Sequence, residues 1–196
     1  MKKTAKFAII LFALVIVFTL SFGISAFAEG EEAADSTIVV TAEEPSPVTG
    51  TIIAYIGAAL CAILAGIGSA YGVMIGGKAS AGVASENPDL FGKLLVLQAL
   101  PGTQGIYGFL VAVLVLVMFH NTDGSVTEGL RFFIASMPMG IVGLISGICQ
   151  GKAAVAAIHM TGKQPDASGK GITMTALVET YAILALLASI LLIVLK

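Results

Sequence analysis

The segment 171–195 reads GITMTALVETYAILALLASILLIVL, an apolar stretch that contains one acidic residue, Glu179. The other acidic residues of the chain, which has twelve, lie outside its long apolar segments. About 20 apolar residues are enough for a helix to cross a bilayer. A charged side chain at the centre of such a helix costs about 2.5–3.5 kcal/mol, so it usually faces protein and marks an ion path. We therefore expect the fold to be organised around the groups that face Glu179.

The composition indicates a membrane protein. Of the 196 residues, 57% are hydrophobic and 11% are charged, with a mean hydropathy of +1.00; soluble domains carry about 25% charged residues. Four apolar segments, at about 51–81, 94–119, 130–160 and 170–195, predict an all-α membrane protein with four transmembrane helices. The ten Lys and Arg residues are scattered and form no basic stripe, so no nucleic-acid partner is expected.

The N-terminal region precedes these four segments. In residues 1–28, three lysines are followed by an apolar run over 7–22 and by small residues at Ala26 and Ala28, a pattern typical of a cleaved signal peptide. An extra transmembrane helix that is retained is the alternative. Residues 29–50 carry six acidic residues and no basic one, and are predicted to form an acidic flexible external segment.

The distribution of lysines predicts the orientation of the chain. Cytoplasmic loops are enriched in Lys and Arg, and lysines flank the first and third turns between the apolar segments, at Lys78, Lys93, Lys152, Lys163 and Lys170. We therefore expect loops 82–93 and 161–170 to be cytoplasmic, with both termini of the mature chain external. Arg131 fits this rule less well, because it lies near the expected external loop at 120–127.

The chain contains an internal repeat at a constant offset. Asn-Pro-Asp-Leu-Phe-Gly-Lys at 87–93 aligns with Gln-Pro-Asp-Ala-Ser-Gly-Lys at 164–170. The repeat offset is the number of residues that separates position 87 from position 164. The sequence thus predicts two duplicated helical hairpins, at 51–119 and 128–196, which run in parallel because each crosses the membrane twice. The same offset aligns Glu179 with Gly102, so only the second hairpin has kept the carboxylate.

Small residues recur every three or four positions along the first helix of each hairpin. They are Ala58, Ala62, Gly66, Ser69, Val73, Gly76 and Ser80 in the first copy, and Gly140, Gly143, Gly147, Gly151 and Ala154 in the second. Small residues let helix backbones approach closely in lipid. Packing within one chain explains part of this pattern, and two such helices in a short chain also predict an inner wall built from several copies.

A polar stripe on the second predicted helix is the main candidate partner of Glu179. Its residues have the spacing i, i+3, i+4, i+7 and so share one helical face; they are Leu100, Thr103, Gln104 and Tyr107. Pro101 removes a backbone donor and Gly102 permits a close approach. We therefore expect a local bend that turns carbonyl oxygens towards a ligand, which is tolerated at membrane depth where the backbone lines a cavity.

Gln150 lies at membrane depth in the third segment and adds another amide. A single buried Gln or Thr is ordinarily explained by a hydrogen bond between helices. A carboxylate, two amides, a hydroxyl and a bent backbone together form an all-oxygen set, which suits a hard cation. Because one carboxylate balances one positive charge, Na⁺ is favoured over Ca²⁺ or Mg²⁺. A proton requires only Glu179 and leaves the other oxygens without a role.

Three motifs carry a resemblance to a known family. LQALPGTQGIYGF at 97–109 resembles the LPGTQGxYGF motif of subunit K, the proteolipid rotor subunit of bacterial V-type (A/V-type) ATPases. SGICQGK at 146–152 is similar to its SGIxQGK motif, and VETYAIL at 178–184 is similar to the motif around its ion-carrying glutamate. The resemblance covers about residues 51–196; the signal-like and acidic N-terminal segments depart from it.

The resemblance implies a sodium site and a set of partners. The ligands would be the carbonyl of Leu100 and the side chains of Thr103, Gln104, Gln150 and Glu179, with Tyr107 hydrogen-bonded to the glutamate. It also implies a homo-oligomeric ring in the cell membrane that turns against a stator subunit with a cationic residue. The central stalk would contact loops 82–93 and 161–170.

The sequence also bears on the alternatives. It contains no P-loop and no nucleophile–base arrangement, so a non-catalytic, ion-translocating subunit is expected, with ATP hydrolysis or synthesis carried out elsewhere in the complex. A proton-carrying rotor of the same fold is the first alternative. An independent small channel or transporter is the second.

Overall fold

The computed structural model describes residues 47–195. The expected signal peptide at 1–28 lies outside these residues, as does most of the acidic segment. Four described helical stretches are long and apolar enough to cross a membrane, and we call them spans 1 to 4: Val48–Glu86, Pro88–Phe119, Val126–Lys163 and Pro165–Val194. The expected all-α fold of four transmembrane helices in two hairpins is confirmed.

Spans 2 and 4 are each interrupted near the middle. The helices, in chain order, are α1 (Pro47–Glu86), α2 (Phe91–Ala99), α3 (Thr103–Phe119), α4 (Val126–Lys163), α5 (Ser168–Ala176) and α6 (Glu179–Val194). Single 3₁₀ turns lie at Pro88–Leu90, Leu100–Gly102 and Pro165–Ala167. Spans 1 and 3 are thus single helices, whereas span 2 consists of α2 and α3 and span 4 of α5 and α6.

The expected loops are shorter in the structure. The ranges 82–93 and 161–170 are almost wholly helical, because α1 continues to Glu86 and α4 to Lys163, and Pro88 and Pro165 each start a 3₁₀ turn. Proline at a first helical position has a suitable φ and lacks only a donor that would be unpaired there. Residues 47–50, expected to be flexible, belong to α1, and the external loop ends at Ser125 rather than at 127.

Spans 1 and 3 form the central pair of the bundle and make its most extensive contact. Glycines bring their backbones together: a Cβ placed on Gly147 would lie 2.6 Å from the carbonyl carbon of Gly68, and one on Gly151 would lie 2.9 Å from the Gly72 oxygen. Real Cβ atoms essentially never approach other atoms so closely. Part of the small-residue pattern is therefore packing within one chain. Gly66 differs, because a Cβ there would meet nothing within 4 Å.

Spans 2 and 4 lie against this central pair. Span 2 packs mainly on span 1 and span 4 on span 3, and the two also contact each other through α3 and α6. The remaining faces of α3 and α6 expose large apolar side chains such as Phe109 and Leu187, as expected of helices that face lipid or another protein.

At the end of the bundle opposite the two proline turns, a tertiary contact explains the position of Arg131. Its guanidinium donates to the carbonyls of Leu192 at 3.3 Å and Ile193 at 3.2 Å, and pairs with Glu128 at 2.9 Å. The last carbonyls of a helix lack internal partners and carry partial negative charge, so a cation is stabilising there. Arg131 therefore binds the C-terminal end of span 4 to span 3.

A proline inside span 3 is compensated by a serine of span 4. Pro138 lies within α4, and a proline ring in a helix interior disturbs the neighbouring hydrogen bonds. The next amide, the N–H of Met139, donates to Ser189 Oγ at 3.1 Å. Ser189 is fully buried. Polar side chains of neighbouring helices commonly satisfy backbone groups freed by proline in membranes.

We expect Ser189→Ala to destabilise the bundle by about 1–3 kcal/mol, the usual cost of a buried donor left without a partner. Thermal unfolding in detergent measures this loss. Ser136→Ala is the matched control, because Ser136 is also fully buried but donates only to the carbonyl of Phe133 in its own helix. Equal losses in the two variants would contradict a specific role for Ser189.

Candidate cation-binding site

The break in span 2 places two oxygens of the polar stripe together. Pro101 has no N–H, and the chain forms a 3₁₀ turn over Leu100–Gly102. The carbonyl of Leu100 accepts from the backbone N–H of Thr103 and from its hydroxyl at 3.1 Å. The helix is thus interrupted at Pro101 by a 3₁₀ turn, in which the Leu100 carbonyl and the Thr103 hydroxyl lie side by side and the carbonyl still accepts from its own helix.

Span 4 breaks at the equivalent place without a proline. Leu177 and Val178 form a turn between α5 and α6, in which the N–H of Val178 donates to the carbonyl of Thr175 at 3.3 Å. The hydroxyl of Thr180 donates to the Leu177 carbonyl at 2.8 Å, as Thr103 does to Leu100 in span 2. Glu179 is the first residue after this turn, so the break in span 4 presents the carboxylate.

Tyr107 of span 2 holds Glu179 of span 4. Its hydroxyl donates to Glu179 Oε1 at 2.5 Å, and hydrogen bonds to an ionised group are among the strongest in proteins. The polar stripe and the carboxylate are therefore in direct contact.

The two glutamines meet in the interior beside this pair. Gln104 and Gln150 are both fully buried, and Gln104 Nε2 donates to Gln150 Oε1 at 2.5 Å. Gln104 Nε2 also donates to Ser146 Oγ at 3.4 Å. Among residues 47–195, the other amide oxygen, Gln104 Oε1, is buried and accepts no hydrogen bond. A buried acceptor without a donor is costly, and a bound cation would satisfy it.

Ser146 is a member of the cluster that the sequence reasoning missed. Its hydroxyl accepts from Gln104 and donates to the carbonyl of Val178 at 3.3 Å, while Gln150 Nε2 donates to the carbonyl of Thr175 at 3.3 Å. Span 3 therefore stabilises the break in span 4. Two signals in the sequence could have identified Ser146: it lies four residues before Gln150 on one helical face, and it aligns with Ser69 in the repeat.

The donor set suits a hard monovalent cation. The six residues expected at the site form three hydrogen-bonded pairs: Leu100 with Thr103, Tyr107 with Glu179, and Gln104 with Gln150. The described residues contain no group of three or more His, Cys, Asp or Glu that could hold a metal, so Glu179 is the one carboxylate among neutral oxygens. Oxygen ligands with a single negative charge favour a hard cation of one positive charge.

These features define a class of protein: a membrane proteolipid of two parallel helical hairpins with a carboxylate held at mid-membrane. The chain belongs to the ATP synthase C-subunit family, whose model matches it twice, at residues 56–115 and 133–192. The starts of the two matches, 56 and 133, differ by the same offset as positions 87 and 164. The internal repeat is thereby confirmed.

Individual relatives agree with this assignment. The chain is 46% identical over 144 residues to the V-type sodium ATPase subunit K of Enterococcus hirae, a match that covers 74% of this chain and 92% of the relative. It is 42% identical over 143 residues to the A-type ATP synthase subunit K of Methanocaldococcus jannaschii, covering 73% and 62%. It is 28% identical over 119 residues to the 16 kDa proteolipid of the V-type proton ATPase from Homo sapiens, covering 61% and 76%. The resemblance to subunit K is thus confirmed, and the protein is a multi-pass integral membrane rotor subunit.

Tyr107→Phe is expected to free the Glu179 carboxylate without disturbing the fold. A hydrogen bond to a charged group contributes about 1.5–3 kcal/mol, so the released side chain should be exposed roughly tenfold more often or better. The initial rate at which a hydrophobic carbodiimide labels Glu179 measures this exposure. Tyr55→Phe is the control, because Tyr55 packs edge-on against Phe119 away from the site. Identical labelling rates in both variants would show that Tyr107 does not restrain Glu179.

Proposed function

We propose that this chain is the Na⁺-carrying rotor subunit of a V-type ATPase or ATP synthase. The observation that carries the proposal is the buried Gln104 Oε1, an acceptor beside Gln150 that no described donor reaches. The oxygens of Leu100, Thr103, Gln104, Gln150 and Glu179 would hold the ion, and Tyr107 would position the carboxylate. The 46% identity to a relative named as a sodium ATPase subunit supports the choice of ion.

A proton-carrying rotor is the alternative within the same family, and the relative from Homo sapiens is named as part of a proton ATPase. A proton needs only the carboxylate. The two buried glutamines carry a folding cost that proton transport does not explain, because each buried polar group must find a partner. These additional oxygens favour Na⁺.

The proposed mechanism is rotation of a homo-oligomeric ring against a stator subunit. A site loaded with Na⁺ is close to neutral, so it can cross the lipid-facing arc without most of the cost of a buried charge. A cationic residue of the stator would compete for Glu179 and release the ion. Moving one charge against 100 mV takes about 2.3 kcal/mol, which ATP hydrolysis in the catalytic sector of the complex would supply.

The orientation follows from the lysines. Lys78, Lys93, Lys163 and Lys170 lie near the turns at Asn87 and Gln164, which we place in the cytoplasm. The two turns lie at the same end of the bundle, because Lys93 Nζ donates to the carbonyl of Pro165 at 3.1 Å. Residues 82–93 and 161–170 would contact the central stalk of the complex, with both mature termini on the external side of the cell membrane.

Labelling of Glu179 with N,N′-dicyclohexylcarbodiimide separates the two ions. We expect Na⁺ to slow labelling at constant pH, because a bound ion occupies the carboxylate, and K⁺ at equal ionic strength to protect far less. Gln104→Leu should raise the Na⁺ concentration needed for half-protection by about tenfold or more. It removes one ligand, and a loss of binding free energy on the order of 1.4 kcal/mol corresponds to a tenfold change in affinity. Protection that depends on pH but not on Na⁺ would establish the proton alternative.

Glu179→Gln is expected to abolish coupled ion transport and to leave assembly intact, because the amide keeps the shape of the side chain but cannot balance the charge of the ion. The two measurements are ATP-driven Na⁺ transport into proteoliposomes that contain the whole complex, and the size of the purified ring. Glu128→Gln, which alters the half-buried pair with Arg131 far from the site, should retain transport. If Glu179→Gln still transports Na⁺ in a coupled manner, Glu179 is not the carrier.

A further inference from the structure

Equivalent positions of the two hairpins differ in burial. In span 2, Leu97 and Gln104 are fully buried. Their equivalents in the repeat, Met174 and Tyr181 of span 4, are 65% and 68% exposed. We call the face of span 4 formed by Met174, Leu177, Tyr181 and Leu184 the open face; each of its residues is at least 62% exposed.

The second hairpin is what buries the corresponding face of span 2. Leu97 packs in a cluster with Ala157 and Ile158 of span 3, and Gln104 meets Gln150 of the same helix. Among residues 47–195, no hairpin covers the equivalent face of span 4. By analogy with span 2, we expect a hairpin to cover the open face. The first hairpin of a second copy can do so, because it is related to the second hairpin by the repeat.

Tyr181 argues for protein rather than lipid at this face. It lies two residues after Glu179, and its hydroxyl makes no hydrogen bond within residues 47–195. Tyrosines that face lipid concentrate at the membrane interfaces, and a buried hydroxyl normally finds a partner. A phenol at the depth of Glu179 is better satisfied by a polar group of a neighbouring chain than by hydrocarbon.

We propose that the open face of span 4 binds the first hairpin of a second copy. Residues that are equivalent in the repeat make equivalent contacts there: span 4 of one copy packs on the first hairpin of the next as span 2 packs on the second hairpin of its own chain. In this contact Tyr181 fills the space beside Gly102 and Val73 of the second copy. The proposal rests on the ring assembly of the proposed function and adds to it the register of the contact and the role of Tyr181.

The repeat explains why Tyr181 would fit there. In the repeat, Gln104 corresponds to Tyr181 and Gln150 corresponds to Val73. Likewise, Glu179 corresponds to Gly102. A Cβ placed on Gly102 would meet only the Cγ2 of Val73, at 3.7 Å, so the position of the missing carboxylate is open in a single chain. The large ring of Tyr181 occupies the volume that ligands and ion occupy in the true site.

The same offset predicts a contact between the turns of adjacent copies. Within the chain, Lys93 Nζ donates to the carbonyl of Pro165 at 3.1 Å. In the repeat, Lys93 corresponds to Lys170 and Pro165 corresponds to Pro88, so the equivalent contact joins Lys170 of one copy to Pro88 of the next. Both Lys170 and Pro88 are exposed in the single chain, so they are accessible to a second copy.

Cross-linking tests the register. In a Cys61→Ala/Cys149→Ala background in native membranes, Pro88→Cys/Lys170→Cys treated with a short bismaleimide should give a ladder of linked chains. Lys93→Cys/Pro165→Cys, the equivalent pair within a chain, should give only an internal link. Lys170→Cys alone should stay monomeric. Dimers from Lys170→Cys alone would indicate a symmetrical contact of open faces and overturn the proposal.

Sizing of the same preparations separates this proposal from the proposed function. A ring that remains intact on native gels while Pro88→Cys/Lys170→Cys gives no ladder overturns the register and leaves the rotor assignment standing. A chain that forms no oligomer at all contradicts both.

Restoring the missing ligands tests the role of Tyr181. Val73→Gln/Gly102→Glu/Tyr181→Gln should create a second site between copies, so that ²²Na⁺ bound per chain doubles from one to two. The matched variant Val73→Gln/Gly102→Gln/Tyr181→Gln, which lacks the carboxylate, should stay at one. An assembled ring of the first variant that binds one ion per chain would overturn the proposal.

A smaller substitution decides the matter if the variant with a new glutamate does not assemble. Val73→Cys/Tyr181→Cys places thiols at the positions equivalent to the two glutamines, whose side chains touch. In the Cys61→Ala/Cys149→Ala background, a short bismaleimide should link the two thiols between chains, because two touching glutamine side chains span a gap too wide for a direct disulfide. Assembled rings without that cross-link would show that Tyr181 does not face Val73 of the next copy.

Discussion

The carboxylate of Glu179 must not be exposed as a free charge to hydrocarbon, and the unusual features of the bundle serve that constraint. Tyr107 donates to it at 2.5 Å, and the turn before it is fixed by Ser146 and Gln150 of span 3. Three of the four spans therefore contribute to one polar cluster. Since each of these groups would be costly without the others, the cluster holds the spans in register as well as holding the carboxylate.

The two hairpins share a backbone architecture but differ in the polar side chains that they carry. Both hairpins keep the helix break and the threonine that bonds back across it, at Thr103 and Thr180. Only the second keeps the carboxylate, and only span 3 has the glutamine that Val73 replaces in span 1. The backbone architecture of a site is thus present twice in the chain and its chemistry once, which indicates that the breaks also serve the packing of spans 2 and 4.

Sequence patterns predicted the elements whose cause is local. The four apolar segments and the internal repeat follow from hydrophobicity and self-similarity, and both are present. At Pro101 the chemistry of proline predicted a bend, and the helix is interrupted there by a 3₁₀ turn. The break at Leu177 was not predicted, because span 4 has no proline there and side chains of span 3 stabilise the turn, although the repeat aligns Leu177 with Leu100. The helix ends were also misjudged: Asn-Pro-Asp suggested a loop, whereas Pro88 begins the next helical turn at once.

The position of Arg131 shows the same limit. It fitted the charge rule poorly in the sequence, and its reason is a tertiary contact with the carbonyls that end span 4. At the opposite end of the bundle, Lys93 donates to the carbonyl of Pro165 and joins the two turns. Surface contacts of this kind contribute little free energy each, but they lie at the two ends of a long bundle. Because the link at Lys93 joins span 2 to span 4 and the link at Arg131 joins span 3 to span 4, a displacement of one span at either end is shared by its neighbour.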